Sequence, residues 1–388
     1  MIKEKIFKYL YEKRSTFLGV GPMSKNCIDA TIELSNLYEI PVFLIASRRQ
    51  IDAEEFGGGY VNNWNTREFS DYVLENDKKG KIILSRDHGG PWQNPLEQKN
   101  NLSLKKAMES AKKSYLEDIK SGFQVLHIDP SIDIHGTPSL DEVLDRIFEL
   151  YEYCWRESQN LQKDITFEIG TEEQSGSTNT LDELEYTLER INVFCNKYQL
   201  PTPTFVVVQC GTRVAELRNV GSFDSPVRIA NEIPTEIQLP RILKICKKYK
   251  IFMKEHNGDY LSSETLAWHP RLKIPAVNVA PEFGVAESKA LVELLEYEDL
   301  KQFRDEFIKI SLNSLKWKKW MLKDTKASDL EKAIIAGHYI FSSQDFKELR
   351  KKIIDALNKK DINLDEFLKE KIKKSISRYL VNFNLIKK

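Results

Sequence analysis

One pattern constrains this chain more than any other. Through residues 1–298, short apolar runs of strand length alternate with longer helical patterns. Candidate strands fall at 16–20, 41–46, 81–86, 123–129, 165–170, 204–209, 250–256 and 274–279. Several, such as P-V-F-L-I-A at 41–46, have no polar face. Strands of that kind belong to a parallel sheet covered on its faces. Candidate helices follow at 24–37, 66–76, 104–119, 139–162, 180–197, 240–248, 262–268 and 284–295. Eight successive β/α units predict closure into a TIM-type (β/α)8 barrel rather than an open doubly wound sheet. An open dinucleotide-binding sheet would carry an early G-x-G-x-x-G turn, and Gly57-Gly58-Gly59 lacks that spacing.

Residues 299–388 read differently. They are Lys-rich, hold no proline and only one glycine, Gly337, and show helical periodicity. Leu349, Ile353, Ile354 and Leu357 form one apolar stripe. The expectation is a helical C-terminal extension that covers the barrel or makes a subunit contact, with its mixed charges facing solvent.

Composition excludes several functions. The 58 basic side chains cancel the 58 acidic ones, which leaves no electrostatic footprint for nucleic acid or an anionic membrane. No apolar run approaches the roughly 18–20 residues of a membrane span. The first eight residues mix charge with single apolar side chains, unlike a secretory leader. Cys27, Cys154, Cys195, Cys210 and Cys246 are odd in number, scattered and without a C-x-x-C pair. They read as reduced thiols of a cytoplasmic protein.

The polar residues have a positional pattern. Strand ends read Ser47-Arg48-Arg49-Gln50, Arg86-Asp87-His88-Gly89-Gly90, His127-Ile128-Asp129, then Glu168 through Glu172 and Glu173. Later ones read Gln209-Cys210-Gly211, Glu255-His256-Asn257-Gly258-Asp259 and Asn278. In a β/α barrel these ends converge on one mouth, where the active site lies. A core needs none of these groups, and burying them without use is costly. Alternation puts His127 and Asp129 on one face, and Glu168, Gly170 and Glu172 on one face, with Glu173 pointing away. His88, Glu168, Gln209 and His256 together offer imidazole nitrogens and amide or carboxylate oxygens, a mixture suited to Zn²⁺ or Mn²⁺. His135 and His338 fall outside the pattern and read as ordinary. His269, in a loop before Pro270, is not expected to be a ligand.

The motifs F-G-G-G-Y at 56–60, S-R-D-H-G-G-P-W at 85–92, H-I-D at 127–129, I-G-T-E at 169–172 and E-H-N-G-D-Y at 255–260 carry a family resemblance. Over roughly residues 20–295 the chain resembles the class II tagatose-1,6-bisphosphate aldolase accessory-subunit family, also called tagatose-6-phosphate kinase-like. That family is related to the zinc-dependent class II aldolases and to tagaturonate epimerase. The resemblance implies a divalent metal, with Asp87 and His88 matching the aldolases' general acid/base and metal-ligand pair. It implies His256 as a later ligand, Gln209 in place of the aldolases' middle histidine, and Glu168 as a carboxylate near the metal. Glu172 or Glu173 matches the mobile acid that moves a substrate proton. The aldolases hold phosphate with a Gly-Ser loop and an Asn-x-Asp-Thr run. Here the loop is Asn257-Gly258-Asp259-Tyr260, and the last strand reads Asn278-Val279-Ala280-Pro281. An acidic Asp259 opposes phosphate there. Arg48, Arg49 and Ser175-Gly176-Ser177 offer another place for an anionic end.

The implied chemistry is retro-aldol cleavage of a ketose or ketose phosphate between C3 and C4, or epimerisation at C4. Asp87 handles the hydroxyl proton and Glu172 protonates carbon. Arg48, Gln50, His127, Asp129, Ser175, Asp259 and Asn278 are the expected substrate contacts. The alternative is a non-catalytic subunit that stabilises a tagatose-bisphosphate aldolase, and self-association is a further option. No G-x-x-x-x-G-K-[ST] loop supports a kinase.

Overall fold

The computed structural model describes residues 1–171, 180–225 and 233–387. Eight parallel strands close into a barrel. They are β1 (Phe17–Val20), β2 (Val42–Ser47), β3 (Ile82–Gly89), β4 (Val125–Ile128), β5 (Thr166–Ile169), β6 (Phe205–Val207), β7 (Phe252–Glu255) and β8 (Ala276–Val279). Each pairs with its sequence neighbour, and β8 closes on β1 through Phe17↔Ala276 to Val20↔Val279.

Alternation divides the strand side chains into two cores. Leu18, Val20, Leu44, Leu84, Leu126, Phe167, Val206 and Met253 face outward and pack beneath the helices. Phe17, Phe43, Ile45, Ile83, Val125, Phe205 and Ala276 fill the lower barrel interior. Ile2 and Ile6 of an N-terminal helix, Ile2–Glu12, complete that lower layer. This helix was not anticipated, although Ile2, Ile6, Tyr9 and Leu10 recur at helical spacing and pack against that layer. The bottom is therefore apolar and closed, and the polar residues occupy the upper layer.

Helices Lys301–Asn313, Asp329–Ile340, Gln344–Asn358 and Leu364–Asn382 follow the barrel. Leu349, Ile353 and Leu357 pack with Phe307 and with Leu291 and Leu295 of the last barrel helix, Pro281–Tyr297. Helix Leu364–Asn382 returns to the barrel, where Ile372, Ile376, Tyr379 and Leu380 join the main core. The extension is thus a wall of the molecule rather than a loose appendage.

Two helices run past their expected bounds. Helix Thr235–Tyr249 contains Pro240 in its second turn, where the ring removes one intrahelical N–H donor and the helix nevertheless continues. Helix Ser263–Leu272 runs through Pro270, so His269 is helical rather than in a loop. His269 Nε2 lies 2.8 Å from Oε2 of the outward-facing Glu255, a buried pair between strand and helix. All five cysteines are buried thiols outside any disulfide. Among the described residues no helix is long and apolar enough to cross a membrane.

Candidate active site and metal centre

The upper barrel layer begins with an irregularity in β3. Its pairing with β4 shifts between Arg86 and Gly89, and His88 sits at φ 43°. Regular alternation would send Asp87 and His88 to opposite faces. A bulge lets both reach the mouth, at the cost of a left-handed backbone for a non-glycine residue.

Three imidazoles meet there. Ring centroids are 5.2 Å apart for His88 and His127, 5.1 Å for His88 and His256, and 5.4 Å for His127 and His256. Asp87 lies between them, 3.8 Å from His88 Nε2, 3.8 Å from His127 Nδ1 and 3.9 Å from His256 Nε2. Asn278 Nδ2 is 3.2 Å from Asp87 Oδ1 and 3.0 Å from His256 Nε2. Gly19 makes room for Asn278, since a Cβ there would come within 2.3 Å of its Oδ1.

The imidazoles are oriented from behind. His88 Nδ1 contacts Asp129 Oδ2 at 2.7 Å, which leaves Nε2 facing Asp87. Gln93 and Ser131 in turn hold Asp129, at 3.1 and 2.5 Å. This is the carboxylate–histidine arrangement that orients metal-bound imidazoles. His127 Nδ1 receives the His88 backbone N–H at 3.1 Å. Among the described residues its buried Nε2 has no hydrogen-bond partner, and it faces Gly170, where a Cβ would come within 2.5 Å. His256 Nε2 is 3.0 Å from Glu168 Oε1, and Glu168 Oε2 accepts from Lys254 Nζ at 2.6 Å.

The charges are unbalanced in an informative way. Among the described residues, Asp87, Asp129 and Glu168 are three carboxylates beside one fixed cation, Lys254, so the centre carries two surplus negative charges whenever its imidazoles are neutral, as metal-bound imidazoles are. Burial opposes ionisation of Glu168, but Lys254, His127 and His256 outweigh it and bring its pKa down to about 2. Burial likewise opposes the charge on Asp87, and His88, His127 and His256 hold it well below the usual range. Loss of water disfavours protonated His88, yet Asp87 and Asp129 overcome this and raise it to about 9. Burial and His88 keep His256 below its ordinary value against the pull of Glu168 and Asp87. A centre with two surplus negative charges, mixed imidazole and carboxylate donors and no thiolate fits a divalent cation. Asp87, His88 and His256 bring ligand atoms within 4.8 Å of one another, as do His127, Glu168 and His256.

Asp87, His88, Gln209, His256 and Asn278 line the floor of a cavity of about 750 Å³ at the mouth. His127, Asp129, Glu168 and Lys254 lie beneath it. Several expected substrate contacts are committed elsewhere. The buried Arg48 guanidinium bonds Asp52, Glu97, Ser110 and the Gly90 carbonyl, so its donors are spent within the protein. Gln50 closes the turn after β2 through Ser47. His127 belongs to the imidazole cluster, and Asp129 orients His88. Asp259 accepts the backbone N–H groups of Ala280 and Glu282 at 3.0 and 2.9 Å, capping helix Pro281–Tyr297 from the side. Burial, with Glu282 nearby, pushes Asp259 up to about 8. Glu172, Glu173 and Ser175 lie outside the described residues.

Two features escaped the sequence reading. Lys254 has a readable signal, because it stands two residues before His256 and alternation gives them one face. Lys316, Lys319, Trp320 and Tyr339 of the extension line the same cavity, and no local pattern predicts that.

A closed barrel with polar side chains gathered at its C-terminal mouth defines a β/α-barrel protein, and the comparisons agree with this fold class. The chain belongs to the family described as D-tagatose-1,6-bisphosphate aldolase subunit GatZ/KbaZ-like, whose model matches residues 11–376. No curated protein matches it significantly. Its fold resembles a probable tagatose 6 phosphate kinase from Sinorhizobium meliloti 1021, at TM-score 0.76 and 15% identity over 95% of this chain and 100% of that one. It also resembles fructose-bisphosphate aldolase from Campylobacter jejuni, at TM-score 0.56 and 13% identity over 99% and 94% of the two chains. The YdjI aldolase from Escherichia coli K12 aligns at TM-score 0.50 and 12% identity, over 90% and 96%.

Proposed function

We propose that this protein is a metal-dependent aldolase of class II type, acting on a ketose or ketose phosphate at the C3–C4 bond. The observation that carries the reading is the position of Asp87. It sits on the cavity floor, bracketed by His88 and His256, where neutral imidazoles would leave two carboxylate charges without a counter-charge among the described residues.

His88 and His256 would hold the cation, with Glu168 and Gln209 beside them and His127 adjoining from below. Zn²⁺ and Mn²⁺ both suit these donors. A cation there would polarise a ketose carbonyl. Asp87 is kept ionised and is therefore a base. It takes the proton from the C4 hydroxyl, the C3–C4 bond breaks, and its electrons move toward the C2 carbonyl. Asn278 Nδ2 steadies Asp87 Oδ1 for this task. Glu172 is the proposed acid that returns a proton to C3. Asp129 keeps His88 in position. Epimerisation at C4 would use the same proton transfers, with rotation of the retained aldehyde before the bond re-forms.

The test is a panel of ketoses and ketose phosphates given to metal-loaded protein, with coupled detection of the released three-carbon fragment. Cleavage that Asp87→Asn abolishes supports the reading; equal cleavage by Asp87→Asn removes Asp87 from it. One observation favours a second reading: the family description names an aldolase subunit. In that case the chain stabilises a catalytic partner, and Asp87→Asn would support the partner as well as the natural chain does.

A further inference from the structure

The mouth has a second chemical feature. In β/α barrels, phosphate is commonly held at the ends of strands seven and eight, on the N-terminus of a following helix. Here the chain fills that position itself. The Asp259 carboxylate occupies the backbone N–H groups of Ala280 and Glu282, where an anionic ligand would otherwise bind.

Across the same cavity, cations gather without acidic partners. Arg49 follows β2, and Lys316 and Lys319 come from the extension. No described carboxylate forms an ion pair with any of the three. Lys319 is instead held by aromatic faces, its Nζ 4.7 Å from the Trp320 ring centre and 5.0 Å from that of Tyr339. The neighbouring rings are themselves fixed. Trp320 Nε1 donates to Tyr339 Oη at 3.2 Å, and Tyr339 packs on Tyr60 at 4.9 Å.

The segment is also tied to the barrel. A hairpin, Val214–Ala215 with Arg218–Asn219, follows β6. Its Glu216 N–H donates to the Trp320 carbonyl at 2.8 Å, and its Asn219 Nδ2 donates to the Asn257 and Asp259 carbonyls at 2.9 and 3.0 Å. Lys319 is thus presented on a braced turn beside the cavity floor.

We propose that Arg49, Lys316 and Lys319 form the subsite for the anionic end of the substrate, and that this end is a phosphate. The C-terminal extension therefore sets specificity for the barrel's chemistry, in place of the blocked position at β7 and β8. This rests on the proposed metal-dependent reading for the reaction, but not for the binding. Confined ammonium groups beside one another also lose protonation. Restricted hydration, with Arg49 and Lys316 nearby, brings Lys319 down to about 7 even though part of its side chain stays open to water. A phosphate would relieve that repulsion.

The experiment measures binding of inorganic phosphate, and separately of acetate, to the full chain by calorimetry at constant ionic strength. Metal content is measured on the same samples. The natural protein is expected to bind phosphate, and Lys316→Met/Lys319→Met to bind it at least about tenfold more weakly. Metal content should not change, and Lys319→Arg should retain binding. Acetate binding with no phosphate binding would show a carboxylate subsite and overturn the phosphate assignment. Equal phosphate affinity in the double variant would overturn the subsite itself. Loss of metal from both proteins with phosphate binding intact would instead count against the metal reading alone.

Discussion

His88 Nδ1 and Asp129 Oδ2 lie 2.7 Å apart, at the end of two adjacent strands. That contact fixes which nitrogen of His88 faces Asp87 and the cavity. A residue that sequence patterning offers as a substrate contact is therefore spent on orienting His88, the proposed metal ligand.

Asp129→Asn should weaken metal binding without unfolding the protein. Removing such an outer carboxylate typically costs about 10–100-fold in metal affinity. Competition against a chromophoric chelator reads this directly. Unchanged affinity would mean that Asp129 does not orient a ligand.

Lys254 makes a second prediction. Its ammonium is 2.6 Å from Glu168 Oε2, and both side chains are only 1% exposed. Removing one member of a buried pair leaves a lone charge and costs about 3–5 kcal/mol. Lys254→Met in metal-free protein should lose stability of that order in denaturant titration. Lys254→Met/Glu168→Gln should regain much of it. A single variant as stable as the natural chain would show that Glu168 does not depend on Lys254.

The packing of the last barrel helix against the start of helix Lys25–Tyr38 should be sensitive to pH. Glu287 is buried, accepts from Ser24 Oγ and Asn26 Nδ2, and burial raises its pKa from 4.5 to about 7. Its folded value exceeds its unfolded one. Its favourable contribution is therefore complete below about pH 4.5 and is lost as pH rises through 7. Glu287→Gln cannot ionise, so it should gain on the natural chain by about 3 kcal/mol between pH 4.5 and 8. Thermal melts of both proteins across that range test this; parallel curves would contradict it.

The sequence made the fold readable because every unit repeats one physical requirement, a buried strand followed by an amphipathic helix. Helix Ile2–Glu12 was missed although Ile2, Ile6, Tyr9 and Leu10 mark one helical face, because it precedes the repeating strand–helix units that organise the rest. At the mouth, strand ends were legible because polar groups at that position stand out against apolar runs. Roles were less legible. Asp87 and His88 reach one site only through a bulge at φ 43°, which alternation does not encode. Arg48 looks like a mouth cation, yet Asp52 and Glu97 consume it in three dimensions. Lys319 reaches the cavity through the packing of a distant segment, for which sequence offers no local sign.

The central claim is a divalent cation held by His88 and His256 beside Asp87. Its most direct test is elemental analysis of purified protein after reconstitution with Zn²⁺ or Mn²⁺ and removal of excess ion. The natural chain and Asp87→Asn should retain about one ion per chain, and His88→Ala and His256→Ala should lose it. Full occupancy in both histidine variants, or no retained ion in the natural chain, would contradict the account.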